Sequence, residues 1–291
     1  MEKKVLVCIG DSWTDDNFNS SVYPDMDTNW PKWPKHLADM LDMEVLNLGT
    51  CGSGNQQIFN KAVDATNYAD NIGGVVCMWS EPDRIDFEVH DPKKQWNGYN
   101  TITNSAFLHW SPRRSVGLKR QTHQPLLGID EISTAVRRWN QNHRMVGRGW
   151  QASKFDPLAE QVLDLGIWQM ETSWRQSLRY WYSVQSICEN EKIPYLQIVG
   201  TNPFFTWLEE QDYKVERRKV IDHLMTTDYM LSINNDTFVG WPIFGDIGGD
   251  TASSIIHNEK YRMGVNDSHP NESGHRYLAE YLYKEWNTKW A

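Results

Sequence analysis

No apolar run in this chain approaches the roughly 20 residues that a helix needs to cross a bilayer, so no membrane span is expected. The apolar stretch that follows Met1-Glu2-Lys3-Lys4 is also too short for the core of a secretory signal, which makes a cytoplasmic protein the expectation. Cysteine is scarce. Cys8, Cys51, Cys77 and Cys188 show no Cys-x-x-Cys spacing, and three of them lie on or just after expected strands, where a thiol acts as a small apolar group. Reduced thiols are expected. Basic charge is in deficit: 29 Lys and Arg against 38 Asp and Glu leave a net charge of −9. That argues against a broad phosphate-binding face and against nucleic acid as a partner, despite local pairs such as Arg113-Arg114, Lys119-Arg120 and Arg137-Arg138. His36, His90, His109, His123, His143, His223 and His257 show no metal-ligand spacing, so neither a metal nor any other cofactor is expected. Internal repeats and low-complexity tracts are absent as well.

What is present is an alternation of short apolar runs and helical patterns, the mark of an α/β sheet with helices on both faces. Strands are expected at Lys4–Ile9, Glu44–Leu48, Gly74–Trp79 and Ile193–Val199, and helices at Trp33–Met43, Gln56–Tyr68, Pro157–Asn190 and Trp207–Asp222. Residues 86–150 break the rhythm and read as an insertion or cap after the third strand, with a helix expected over Ile129–Asn142. The stretch from Asp236 to Asn266 is glycine-rich and reads as irregular. A chain of 291 residues permits one decorated domain over 1–291.

Two segments carry the chemistry. Gly10-Asp11-Ser12 leaves the first strand, and in an open α/β sheet ligands bind at the carboxyl ends of strands. Asp267-Ser268-His269-Pro270 lies near the other end of the chain. A serine hydroxyl becomes a useful nucleophile when an imidazole takes its proton, and that imidazole needs a third group to fix its tautomer. Ser12, His269 and Asp267 supply these three roles. Asp11 reads either as a turn former or as a chemical group.

These motifs resemble those of the GDSL/SGNH hydrolase superfamily. Gly10-Asp11-Ser12, the stretch Asn47-Leu48-Gly49-Thr50-Cys51-Gly52-Ser53-Gly54-Asn55 and the terminal Asp-x-His-Pro-Asn occur in the family's order. The resemblance implies a three-layer flavodoxin-like parallel sheet, a nucleophilic Ser12, and an oxyanion hole built on the Ser12 and Gly52 backbone amides. Two departures stand out. Where the family's Gly-x-Asn-Asp should follow the third strand, this chain has Ser80-Glu81-Pro82-Asp83-Arg84, so Pro82 replaces an oxyanion donor with a residue that has none. Ser80, Arg84 or Asn202 are the candidate substitutes. The terminal motif is Asp-x-His rather than Asp-x-x-His, which makes Asp267 the orienting group and leaves Asn266 at the usual aspartate position.

The expectation is therefore a serine esterase acting on small acyl esters, with O-acetyl groups on a carbohydrate preferred because the family commonly deacetylates glycans. Fifteen tryptophans favour a sugar ligand only weakly, since indoles also fill cores. The alternative is an SGNH fold whose chemistry has weakened, serving as a binding or structural module. The Asn/Asp/Trp-rich character is similar to that of SGNH-like proteins of tailed phages, for which association with the virion would be expected.

Overall fold

The computed structural model describes residues 3–20, 22–68, 71–82, 84–88, 143–147, 170–201, 218–219 and 221–291. In chain order the elements are β1 (Val5–Ile9), α1 (Trp33–Met40), β2 (Glu44–Asn47), α2 (Asn55–Tyr68), β3 (Ile72–Trp79), β4 (Arg84–Glu88) and β5 (His143–Gly147). They continue with α3 (Met170–Glu191), β6 (Tyr195–Val199), α4 (Asp228–Ser232), β7 (Phe238–Val239), α5 (Ala252–Ile255), β8 (Arg262–Gly264), β9 (Asp267–Pro270) and α6 (Glu272–Trp290).

β1 is apolar on both faces, and its alternate residues serve different layers, as a period of two requires. Val5, Val7 and Ile9 join one core with Val75, Cys77 and Trp79 of β3, while Leu6 and Cys8 join the other with Val76 and Met78. A strand buried on both sides belongs in the middle of a parallel sheet. Five parallel strands run in the order β2-β1-β3-β6-β7, the doubly wound flavodoxin-like order.

Helices cover both faces. Ile58, Ala62 and Ala65 of α2, together with Trp174, Leu178, Trp181 and Cys188 of α3, recur at helical spacing and fill the first core. Leu37 of α1 and Leu278, Leu282 and Trp286 of α6 fill the second. Gly74 matters here, because a Cβ on it would collide with the Trp286 ring. Trp13, Trp33, Trp79, Trp174, Trp181 and Trp286 are all buried, so much of the tryptophan excess is core material rather than sugar-stacking surface.

The four expected strands are found within a residue or two of their expected limits. β7 was not expected, because two residues inside a glycine-rich stretch show no period; Thr237 and Phe238 extend the sheet through Gln197. After β3, the expected start of the insertion at Asp86 falls inside β4, which pairs antiparallel with β5 so that Glu88 faces His143. The helix expected over Ile129–Asn142, the first part of that over Pro157–Asn190 and most of that over Trp207–Asp222 lie outside the described residues.

Candidate active site

The turn after β1 is held by its own aspartate. The Thr14 and Asp15 amides both donate to the Asp11 carbonyl at 3.0 Å, and the Trp13 amide donates to Asp11 Oδ1 at 3.1 Å. This closes an Asx-type turn that sets Ser12 at the carboxyl end of β1, beside the point where the connections from β1 and β3 diverge. Gly10 is required for close packing, because an added Cβ would run into the buried Thr14 side chain.

His269 arrives on β9, outside the main sheet. Ser12 Oγ lies 2.8 Å from His269 Nε2, and His269 Nδ1 lies 2.6 Å from Asp267 Oδ1. The short Asp-x-His spacing has a physical reason: residues two apart on a strand project to the same side, so β9 presents both groups together. Asp267 Oδ1 also accepts the His269 amide at 3.0 Å, while Oδ2 accepts the Ser20 hydroxyl. Burial alone would raise the Asp267 pKa, but the hydrogen bonds from the His269 ring, Ser20 and the His269 amide outweigh it and hold the carboxyl at about 2. Asn266 is exposed at the tip of the β8–β9 hairpin, so the carboxylate bonded to the ring belongs to Asp267. Phe18 stacks on the imidazole with centroids 4.1 Å apart and planes at 24°.

The second motif lies alongside. Gly52 has φ of 81°, a left-handed conformation that glycine adopts without strain. Asn47 fixes the approach to it, donating to the Thr14 carbonyl and to Asp16 Oδ1, both at 2.7 Å, and accepting the Gly49 amide. The Thr50 amide donates to the Gly10 carbonyl and the Cys51 amide to Asp15 Oδ2, which tie this loop to the Ser12 turn. Among the described residues, no protein acceptor engages the Ser12 or Gly52 amide.

The candidate substitute donors are committed elsewhere or not described. The buried Ser80 hydroxyl donates to Asp11 Oδ2 at 3.1 Å, and its amide donates to Asn55 Oδ1. Arg84 Nη1 reaches Asp11 Oδ2 at 3.3 Å and the Ser53 carbonyl at 3.4 Å, while its Nε donates to Glu81 at 2.8 Å. Two carboxylates thus face the guanidinium. Pro82 is buried in the turn between β3 and β4, and Asn202 lies outside the described residues.

Asp86 adds an unexpected support. Its carboxylate accepts the Gly54 amide at 2.9 Å and the Gln57 amide at 2.8 Å, capping the start of α2. Burial pushes its pKa up to about 6, against the opposing pull of those two amides, Lys61 and Arg84. Asn55 is the first residue of α2 and links the Ser80 amide to Ser177 of α3. A small open depression is lined by Asn55, Pro82, Arg84, Asp86, Ser177 and Tyr180, and neither Ser12 nor His269 lines it. No group of three or more His, Cys, Asp or Glu among the described residues could hold a metal ion.

Ser20 and Phe18 were not named from the sequence, Asn55 entered only as the last residue of the second motif, and Asp86 only as the start of the insertion. Only Asn55 had a signal, as an amide residue at a helix start. The others depend on long-range contacts.

No family model and no curated protein matches the chain. A solved structure described as a "putative lipolytic protein of G-D-S-L family" from Desulfitobacterium hafniense DCB-2 aligns over 97% of this chain and 99% of its own, at 12% identity and a TM-score of 0.31. A likeness of that size carries no weight for the fold or for the chemistry. The reading of the site rests on its own geometry.

Proposed function

We propose that this protein is a serine hydrolase of the SGNH type that cleaves small acyl esters. The observation that carries the reading is the continuous hydrogen-bonded series from Ser12 Oγ through the His269 ring to Asp267, with spans of 2.8 and 2.6 Å. In this reading Ser12 Oγ attacks the ester carbonyl while Nε2 takes its proton. Asp267 holds the ring so that Nε2 faces the hydroxyl, and its charge stabilises the imidazolium that forms. The Ser12 and Gly52 amides receive the oxyanion. The intermediate collapses when Nε2 returns the proton to the departing alcohol, leaving an acyl group on Ser12. Water, deprotonated by the same nitrogen, then releases the acid.

The loop that presents Gly52 suits the oxyanion role because it is bound to the Ser12 turn through Thr50 and Cys51. With Pro82 in the place of a donor, and with Ser80 and Arg84 facing Asp11, the hole would have two amides rather than three donors. One missing donor costs on the order of a hundred- to a thousandfold in rate, so a slow esterase is the expectation. O-acetyl groups on a carbohydrate remain the preferred substrate through the motif resemblance. The same commitment of Ser80 and Arg84 favours the second reading, in which the fold is kept as a binding module with weak chemistry.

The deciding experiment is labelling with a fluorophosphonate followed by mass spectrometry. An adduct on Ser12 that disappears in Ser12→Ala and His269→Ala supports the esterase. No adduct on wild-type protein favours the binding module.

A further inference from the structure

The loop that follows the nucleophile returns to grip the other two members of the series, and its grip is specific. Ser20 is 3% exposed and stands where no motif marks it. Its Oγ accepts two backbone amides, from Val22 at 3.1 Å and from Tyr23 at 2.9 Å. A serine hydroxyl has two lone pairs and one proton. With both lone pairs taken, the proton is left for donation, and it goes to Asp267 Oδ2. The two amides also polarise the hydroxyl, which strengthens it as a donor.

We propose that Ser20 is a positioning residue that locks the plane of the Asp267 carboxylate, so that Oδ1 stays on His269 Nδ1 and Nε2 stays on Ser12. The role deepens the esterase reading and depends on it. Asp267 is a short side chain with one rotatable bond at the carboxylate, and its Oδ1 already takes two donors from His269. The hydroxyl on Oδ2 adds a restraint on that bond that does not come from His269 itself. Phe18, two residues earlier, covers one face of the ring, and its carbonyl accepts the Thr28 hydroxyl at 2.9 Å, which anchors the loop. Ser20 therefore fixes the carboxylate and Phe18 the imidazole.

The test compares Ser20→Ala, Ser20→Thr and Ser20→Cys with the intact chain, using p-nitrophenyl acetate and the fluorophosphonate. Ser20→Ala is expected to lower kcat about ten- to a hundredfold with KM unchanged, the size expected for one hydrogen bond to a charged group. The Asp267 titration midpoint, followed by its carboxyl carbon shift, is expected to move up, because the hydroxyl that stabilises the carboxylate is gone. Ser20→Thr keeps the hydroxyl and restores both values. A residue that only stiffens the loop would leave the Asp267 midpoint in place, and that result overturns the proposal. If Ser20→Ala does not fold, the Thr and Cys variants decide: an unshifted midpoint in Ser20→Cys, whose thiol is a weak donor, overturns it. If wild-type Ser12 takes no label, the esterase reading has failed on its own. The Ser20–Asp267 bond is then still readable from carboxyl carbon shifts, where Ser20→Ala must raise the Asp267 titration above that of the wild type.

Discussion

Asp11 Oδ2 and Arg84 Nη1 form an ion pair of 3.3 Å in which the aspartate side chain is 1% exposed. Asp11 is thus both a turn former and an electrostatic anchor. Its Oδ1 closes the turn that carries Ser12, and its Oδ2 fastens that turn to the exit from β3 through Ser80 and Arg84.

Removing the guanidinium would leave the buried Asp11 carboxylate with the Trp13 amide and the Ser80 hydroxyl but without this counter-charge, so Arg84→Ala is expected to lower unfolding free energy by about 3 kcal/mol. Arg84→Lys should recover part of this, since it keeps the charge without the fork. Urea unfolding measures the loss. A hundredfold fall in kcat with unchanged stability would show instead that Arg84 meets the oxyanion.

Within the proposed triad, Ser12→Ala and His269→Ala should each abolish turnover of p-nitrophenyl acetate above background. Because Asn266 is exposed at the hairpin tip and the ring bonds to Asp267, Asp267→Asn should cost on the order of 10⁴-fold in kcat. A loss of less than tenfold would mean that Asp267 does not orient the ring.

Two buried carboxylates should act on stability in opposite directions. Asp267 is held at about 2 in the folded state, below its unfolded value near 4, so its contribution is present above that value and is lost as pH falls from about 4 towards 2. Asp86 is held at about 6, so between about 4 and 6 the folded state binds more protons and stability falls as pH rises. Urea midpoints from pH 3 to 7 test both. Asp86→Asn should flatten the limb between 4 and 6, and Asp267→Asn the limb below 4. An unchanged slope between 4 and 6 in Asp86→Asn would show that Asp86 stays ionised throughout.

Gly54 sits against the same carboxylate, and a Cβ there would lie 2.7 Å from Asp86 Oδ2. Gly54→Ala should displace Asp86 from the start of α2 and cost about 1 to 3 kcal/mol, read as a lowered thermal midpoint. A midpoint equal to wild type would show that the cap is dispensable.

The main sheet was legible because its strands are two-sided apolar runs. Val5-Leu6-Val7-Cys8-Ile9 declares a central strand by composition alone, and α2 and α3 declare themselves by the spacing of Ile58, Ala62, Trp174 and Trp181. β7 was illegible because Phe238 and Val239 are recruited by Gln197 and not by any period of their own. Ser12, His269 and Asp267 could be picked out as candidates because Gly-Asp-Ser and Asp-x-His-Pro are sequence signatures, and the structure brings the three side chains into hydrogen-bond contact. Ser20 and Asp86 could not: their partners are 247 and 29 to 32 residues away, and a serine in a loop or an aspartate in a strand announces nothing until the chain closes. For the same reason Ser80 and Arg84 looked like spare donors from the sequence, which carries no trace of their shared partner Asp11.

The pairing of Glu88 with His143 fixes how far apart the chain leaves and re-enters at this edge: one strand spacing, roughly 5 Å, whatever stands between them. Because Arg84 and Asp86 belong to the first of these strands, the register of the β4–β5 pair is transmitted to the Asp11 turn through Arg84 and to the start of α2 through Asp86.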